Sequence, residues 1–544
     1  MTPSSALDGW GLRTVPAALV RRYRDEGRWT GESLGSTVAA GLGRAPHLPF
    51  HVRSRVRPYS GTLADVDRAA RSLARSLKAR GVGPGSVVVL QLPNWVEAAV
   101  TFWAAAYVGA IVVPVVHFYG PKEVGHILDD TRPAVVVTPD AFGRTDHLRQ
   151  YEDLFAARGG EPLWLVVSER PERELPRNAV PFHRMLDADP LPAPEPVDPA
   201  SPAIVGFTSG TTLKPKGVVH SHQTIGWEAR QADHFYGKGG PPQVVGTPVG
   251  HFMGMINAFL LPLLRSEPVH LIDVWDPAEV LALMGERGVG IAGGPPYFLT
   301  SLLDHPDFTP GHLALIPYMG LGGATVPEAF TERATKEGIA VYRSYGSTEH
   351  PSVTASLLED APGKRLRTDG RALPGAEFRL DGDGEILTRG ADCFIGYTDP
   401  GLTARAFDAD GWYRTGDMGE VDGDGYLTIT DRVADVIIRG GENISAQEVE
   451  ALLLRMERVA EVSVVAEPDA RLGEHACAVI RPRDPARPVT VDDVRAHLAA
   501  AGLARPKWPE SVHLVADFPR TATGKIQKFR LREQVRGGSL PDAL

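Results

Sequence analysis

At 544 residues, with 43% apolar and 23% charged side chains, the chain is long enough for two or more domains and apolar enough to bury a large core. A net charge of −10 without a dense Lys/Arg run gives no electrostatic basis for capturing nucleic acid or an anionic membrane surface. Cys393 and Cys477 can build neither a disulfide framework nor a zinc site; they read as small core residues of a protein in a reducing compartment, and with no basic-then-apolar leader a cytoplasmic location is expected.

Taken in chain order, the pattern predicts a helix over 62–80: Thr62 is a capping residue, Leu63, Val66, Ala70, Leu73 and Leu77 share one face, and Gly81 follows. Strands and helices then alternate, with strands over 87–92, 110–113 and 134–138 and a helix over 94–108, which is βαβ material implying a mostly parallel sheet covered by helices. The nearly uncharged run 98–116 is long enough to span a bilayer. Gly109, read as a helix C-cap, and Pro114 argue against that, and Ile111-Val112-Val113 reads as a strand buried on both faces. The Pro-rich stretch 169–202 is expected to be an extended connection inside the large domain rather than a boundary.

From about 371 to 430 the texture changes to short alternating strands punctuated by Asp381-Gly-Asp-Gly384 and Asp422-Gly-Asp-Gly425, which are hairpin signals; neither has the glycine and glutamate spacing of a calcium loop. After Asp431 a small α/β unit is expected to begin. Ser445 and Glu448 form a capping box ahead of the stripe Val449, Leu452, Leu453 and Met456. Strands follow over 462–466 and 476–480, then a helix from Thr490 through Val494 and Leu498, a strand over 512–515, and a loop carrying Lys525. No internal repeat is evident.

Chemistry is concentrated first in Thr208-Ser-Gly-Thr-Thr-Leu-Lys-Pro-Lys-Gly217. Glycine lets backbone N–H groups approach phosphate oxygens, hydroxyls donate further hydrogen bonds, and Lys214 and Lys216 add positive charge, a composition suited to a triphosphate. It is not a Walker A loop, since Gly210 is followed five positions later by Pro215, and no GxGxxG falls in a strand-turn-helix context.

Further along stand Tyr345-Gly-Ser-Thr-Glu349, Tyr413-Arg-Thr-Gly-Asp417, Asp431-Arg-Val-Ala-Asp435, Gly440-Gly-Glu-Asn-Ile444 and Pro519-Arg-Thr-Ala-Thr-Gly-Lys525. In that order and spacing, and over nearly the whole chain, they resemble the core motifs of the adenylate-forming superfamily: acyl-CoA synthetases, adenylation domains and luciferases. The resemblance implies an α/β fold. A large N-terminal domain over 1–431 would hold parallel and mixed sheets under helices plus a β-rich subdomain, and a small mobile α+β domain over 432–544 would carry the catalytic lysine. Such an enzyme would use ATP and Mg2+ to convert a fatty or aryl acid to acyl-AMP with release of pyrophosphate, then form a thioester with CoA; a homodimer is compatible with it.

By the same resemblance, Thr208, Ser209, Gly210, Thr211, Thr212 and Lys216 would lie over the β- and γ-phosphates. Gly322, Gly323 and Ala324 would line adenine and the acyl site, with Tyr345 and Gly346 against adenine. Thr348 would touch the α-phosphate and Glu349 hold Mg2+. Asp417 would accept from the ribose hydroxyls, Arg432 pair with phosphate or ribose, and Lys525 neutralise the carboxylate and α-phosphate during adenylation. Gly440, Gly441 and Glu442 imply a channel for CoA. His251, Phe252, Met253, Met255, Tyr297 and the pair His350-Pro351 are expected around the acyl group. There His350 could hydrogen-bond a polar substituent, and methionine and aromatic walls favour an apolar chain or ring.

The sequence departs from the family at the hinge, where Ala434 stands in place of Asp or Lys; rotation does not require a charged side chain, and the departure bears on the expectation of a thioester step more than on that of adenylation. The alternative is an adenylating enzyme that passes acyl-AMP to a carrier-protein thiol, an amine, or a small inorganic nucleophile such as nitrite.

Overall fold

The computed structural model describes residues 9–158, 162–168, 174–208, 215–235, 240–294, 296–322, 328–432, 435–439, 442–469, 473–501, 503–520 and 526–537. The first helix of the parallel unit, Leu63–Lys78, begins as its sequence dictates. Thr62 accepts from the Asp65 backbone N–H and Asp65 accepts from that of Thr62, so two donors of the first turn are satisfied reciprocally. The helix over 94–108 starts two residues later than its apolar pattern suggests, at Val96. Asn94 is drawn out of it because its amide donates to the carbonyls of Thr247 and Ile272 at 3.1 and 3.0 Å and accepts from the Val249 N–H at 2.8 Å. Gly109 takes φ +70° just beyond that helix, and the chain turns directly into the strand Ile111–Pro114.

A nine-stranded sheet is the frame of the larger part. Its order is Gly11–Leu12, Gly396–Tyr397, Lys216–Ser221, Pro202–Thr208, Ile111–Pro114, Val87–Leu90, Val135–Pro139, Leu163–Val167 and Ala179–Pro181. From Pro202–Thr208 onward through Ala179–Pro181 the pairs are parallel, whereas Lys216–Ser221 pairs antiparallel with Pro202–Thr208 and with Gly396–Tyr397. Alternate residues of the central strands feed two cores, as helices on both faces require: Val88, Leu90 and Val112 join Trp95, Phe102 and Trp103, while Val87, Val89 and Ile111 join Tyr151 and Trp164. Each such large side chain removed from water contributes about 1.5–3 kcal/mol. Among the described residues no helix is long and apolar enough to cross a membrane.

A second, five-stranded sheet contains the parallel neighbours Tyr318–Leu321 and Ala340–Tyr345, and a further four-stranded sheet pairs Val244–Val245, Val269–Ile272, Pro49–Arg53 and Tyr59–Thr62. The β-rich stretch is a meander of Ala376–Leu380, Glu385–Gly390, Tyr413–Val421 and Leu427–Arg432. Gly384 and Gly425 occupy its tight turns at φ +88° and +83°, the left-handed region that glycine enters without steric cost.

The C-terminal part builds its own sheet from Glu442–Ile444, Ile437–Arg439, Gly473–Pro482, Val459–Asp469 and Ser511–Leu514. Its helix Ala446–Leu453 corrects one expectation. Ser445 does cap the Glu448 N–H at 3.1 Å, but the reciprocal half of the box is not formed, because the Glu448 carboxylate reaches out to Lys507 Nζ at 2.6 Å. A full box instead opens Val491–Ala500, between Thr490 and Asp493. The architecture is α/β, with a large N-terminal part of sheets and helices and a smaller C-terminal part.

Candidate active site

The polar residues singled out by sequence collect where strands of different sheets end. Thr208 is the last residue of Pro202–Thr208 and pairs with Lys216, the first residue of the returning strand, so the two flank the Ser/Thr/Gly loop. Gly322 follows Tyr318–Leu321 and Tyr345 ends Ala340–Tyr345. Carboxyl ends of parallel strands are the ordinary location of ligand sites in open α/β sheets.

The meander is held against this edge by a buried ion pair. Arg343, two residues before Tyr345, donates to Asp369 Oδ1 at 2.8 and 3.0 Å, and Asp369 Oδ2 accepts from the Ile429 N–H at 2.9 Å. That clamp brings Tyr413–Val421 and Leu427–Arg432 against Tyr345. Asp417 and Arg432 are cross-strand partners, with Arg432 Nε 2.9 Å from Asp417 Oδ1, and the Tyr345 hydroxyl donates to Asp417 Oδ2 at 2.7 Å. Burial and the Asp417 charge hold the Tyr345 phenol well above its ordinary value, so it remains a donor. The Asp417 charge also raises the Arg432 guanidinium.

Glu349 is reached from a tight turn in which the Ser347 N–H bonds the His350 carbonyl at 2.9 Å. Gly346 permits it: a Cβ there would stand 1.9 Å from the Pro351 carbonyl oxygen. The Glu349 carboxylate accepts from the Tyr397 hydroxyl at 2.9 Å, and Lys216 Nζ lies 6.0 Å from the Tyr397 ring centroid. The short strand Gly396–Tyr397 thus carries Tyr397 between the phosphate-loop flank and the acid, a role that sequence reading missed.

Thr348 and the segment bearing His251 meet across Gly206. A Cβ at Gly206 would lie 2.9 Å from Thr348 Cγ2 and 3.1 Å from Phe252 Cδ2. The Thr348 carbonyl is fixed by His220 Nε2 at 2.7 Å, and the His220 ring packs 4.8 Å from that of Phe252. Burial lowers His220 to about 4 and lowers His251 as well, so both imidazoles are neutral at physiological pH. His251 begins the helix Phe252–Phe259, whose far end is fixed by the Trp103 indole donating to the Phe259 carbonyl at 3.2 Å. Met253 and Asn257 share a face of this helix one turn apart. Asn257 lines two small cavities together with Gln243 and Val245, and its Oδ1 is buried without a hydrogen-bond partner.

Two expected wall residues stand elsewhere. His350 is only 1% exposed, its Nδ1 lies 2.9 Å from the Thr388 hydroxyl and its Nε2 3.2 Å from Asp392, so neither nitrogen is left for an acyl substituent. Asp392, fully buried, needs that partner, and Gly390 leaves the space, since a Cβ there would sit 2.4 Å from His350 Nε2. Tyr297 is 61% exposed, beside the Phe298 ring that stacks on Trp275 at 3.9 Å. Ser209, Gly210, Thr211, Thr212, Lys214, Gly323, Ala324, Ala434, Gly440, Gly441 and Lys525 lie outside the described residues, as does the side chain of Glu442.

The profile of the AMP-binding enzyme family matches residues 40–398, and that of the AMP-binding enzyme C-terminal domain matches residues 448–525. The chain is 30% identical to a medium-chain fatty-acid–CoA ligase of Escherichia coli, covering 94% of this chain and 92% of that one. It is 34% identical to a methyl-dioxo-octahydroindenyl-propanoyl:CoA ligase of Rhodococcus jostii, covering 96% and 98%. The fold superposes on ATP-bound MatB of Rhodopseudomonas palustris with a TM-score of 0.81 at 26% identity, over 92% of this chain and 99% of that one.

Proposed function

The chain belongs to the family of AMP-binding enzymes, and we propose that it activates a carboxylic acid with ATP to an acyl adenylate, releasing pyrophosphate, and then passes the acyl group to the thiol of CoA, releasing AMP. The observation that carries this reading is the constellation of Tyr345, Asp417 and Arg432 joined by hydrogen bonds and an ion pair, with Glu349 close enough for its charge to act on Arg432.

In this reading Asp417 keeps a lone pair on each oxygen for the ribose hydroxyls beyond those used by Tyr345 and Arg432. The Tyr345 ring and the backbone of Gly322, Gly323, Ala324 and Gly346 receive adenine. Thr208, Ser209, Gly210, Thr211, Thr212 and Lys216 grip the β- and γ-phosphates, and the Thr348 hydroxyl meets the α-phosphate. Glu349 fits Mg2+, because one carboxylate plus phosphate oxygens is that ion's usual environment and Tyr397 fixes the carboxylate's orientation. When bound, Mg2+ would neutralise phosphate charge. Lys525, on the small domain over 432–544, supplies an ammonium group to the reacting carboxylate and α-phosphate, and leaves when that domain rotates against 1–431 about the residues following Asp431. Rotation needs no charge at Ala434, only backbone freedom. Gly440, Gly441 and Glu442 then line the path of the CoA thiol.

The acyl group would lie along His251, Met253 and Asn257. An apolar body is favoured by Met253, whereas Met255, expected beside it, is fully buried in the core on the other side of the helix; the orphaned Asn257 oxygen suits a substrate hydroxyl or amine donor. ATP and CoA as co-substrates, and two free buried cysteines, fit a cytoplasmic setting.

Pyrophosphate release measured over fatty and aryl acids, with and without CoA, tests the proposal. It predicts acid-dependent pyrophosphate and CoA-dependent AMP turnover with a thioester product; no response to any acid, or turnover indifferent to CoA, would contradict it.

A further inference from the structure

The cysteine count alone points away from a zinc site, but it cannot see which residues the strand register brings beside Cys477. In the C-terminal sheet Glu467 is opposite His475, Val465 opposite Cys477, Cys477 opposite Ser511, and Val479 opposite His513. Because strand side chains alternate, Glu467, His475, Cys477, Ser511 and His513 all project from one face. That face is the one covered by Leu531 and Val535 of the helix Lys528–Arg536, through an apolar cluster that includes Cys477 and Val479.

We propose that Glu467, Cys477 and His513 form a binding site for a borderline transition-metal ion of the Zn2+ type, tying Ser511–Leu514 to the hairpin of Val459–Asp469 and Gly473–Pro482. Ligand atoms of Glu467, Cys477 and His513 already lie within 4.8 Å of one another. His513 Nε2 is 4.0 Å from Glu467 Oε1, and His475 Nε2, 3.1 Å from Glu467 Oε2, steadies that carboxylate from outside the group, so that a water would take the fourth position. Ligands about 2.0–2.3 Å from a common tetrahedral centre stand roughly 3.3–3.7 Å apart, so side-chain adjustments of about an ångström close the shell.

Three features separate this from an ordinary hydrogen-bonded cluster. First, His513 Nε2 is buried without a hydrogen-bond partner although Glu467 Oε1 is 4.0 Å away. Second, a thiolate, a carboxylate and one neutral imidazole make a charge-neutral shell for a divalent ion, and N/S/O donors of this kind select zinc over magnesium or calcium. Third, the Ser511 hydroxyl donates to Glu467, the outer contact that orients a ligating carboxylate. The His513 ring is partly exposed at 40%, which leaves a route of entry from solvent. Binding exchanges the Cys477 S–H proton, released to water, for the S–metal bond. Because that proton must leave, metal affinity rises with pH.

The full-length protein, dialysed against chelator and titrated with Co2+, tests the site. One equivalent should bind with a thiolate-to-cobalt charge-transfer band and tetrahedral ligand-field bands, and Zn2+ should displace it and raise the melting temperature. Cys477→Ser should abolish the charge-transfer band, and His513→Ala should weaken binding about tenfold or more. Cys393→Ser, removing the one other cysteine, should leave the band intact. Melting curves of the metal-free variants identify any that fail to fold, in which case the wild-type spectrum with its Cys393→Ser control decides. A cobalt spectrum without a thiolate band, or a band undiminished in Cys477→Ser, would overturn the proposal.

Discussion

Asp417 joins more of the candidate nucleotide site than any other side chain described, holding the Tyr345 hydroxyl on one oxygen and Arg432 on the other. Charge-assisted hydrogen bonds of this kind are worth about 1.5–3 kcal/mol each, so Asp417→Asn should weaken ATP binding at least about tenfold, read as the KM for ATP and by direct nucleotide titration. Unchanged ATP affinity would remove Asp417 from the site. Tyr397→Phe deletes one hydroxyl from Glu349. Its expected effect is about a tenfold fall in kcat/KM for pyrophosphate release together with a higher Mg2+ requirement. Glu228 is a different case: burial, then the nearby Asp392 charge, pushes its carboxyl well above 4.5, so it keeps its proton in the folded chain. A folded carboxyl that keeps its proton after the unfolded chain has released it loses stability as pH rises above 4.5, and incurs no penalty below it. Glu228→Gln preserves an acceptor for the Ser352 hydroxyl at 2.9 Å and removes that titration. The melting-temperature difference from wild type should therefore be near zero around pH 4.5 and grow toward neutral pH; a pH-independent difference would contradict it. At this scale Tyr345, Asp417 and Arg432 stood out in their motifs and the structure brings these three together, whereas Tyr397 and Asp392 did not stand out, because their partners Glu349 and His350 lie 48 and 42 residues away and no local pattern marks the pairing.

Elements whose caps and periodicity are local were readable in advance: Thr62, Ser445 and Thr490 each cap the helix expected of them, and both Asp-Gly turns close hairpins. The strand Gly396–Tyr397 was not, since two residues display no periodicity and it forms only by inserting between Lys216–Ser221 and Gly11–Leu12. Side-chain competition also hid detail, as when Glu448 leaves its capping position for Lys507. The helix following the Lys525 loop is anchored by Lys528, whose Nζ is 2.8 Å from Glu450 Oε1, while Glu450 also accepts from the Val464 N–H at 2.6 Å. Arg532 pairs with Asp435, beside the chain's passage into the C-terminal part. Both side chains are half-buried, and removing one partner leaves the other charge uncompensated, so Glu450→Ala should cost about 1–3 kcal/mol, seen as a lower melting temperature. A loss below about 1 kcal/mol would mean that the pair is solvated like a surface bridge.

For the molecule as a whole, the order of motifs revealed the family and the α/β architecture because each motif combines backbone geometry with ligand chemistry and five of them recur in sequence. What the order could not reveal is how strands from separate sheets converge, which depends on the buried clamp of Arg343, Asp369 and Ile429. Among the described residues, the Ser445 hydroxyl donates to the Thr430 carbonyl at 3.0 Å and the Gln447 N–H to Asp431 at 3.4 Å near that edge. Single polar bonds of this kind are ones that the proposed rotation would break at small cost. The account's central claim is that one nucleotide site serves two half-reactions, with Lys525 needed only for the first. The direct measurement is single-turnover kinetics of Lys525→Ala in both directions of supply. The account predicts that pyrophosphate release from ATP and acid is lost while thioester formation from supplied acyl-AMP and CoA continues near the wild-type rate; equal loss of both half-reactions would contradict it.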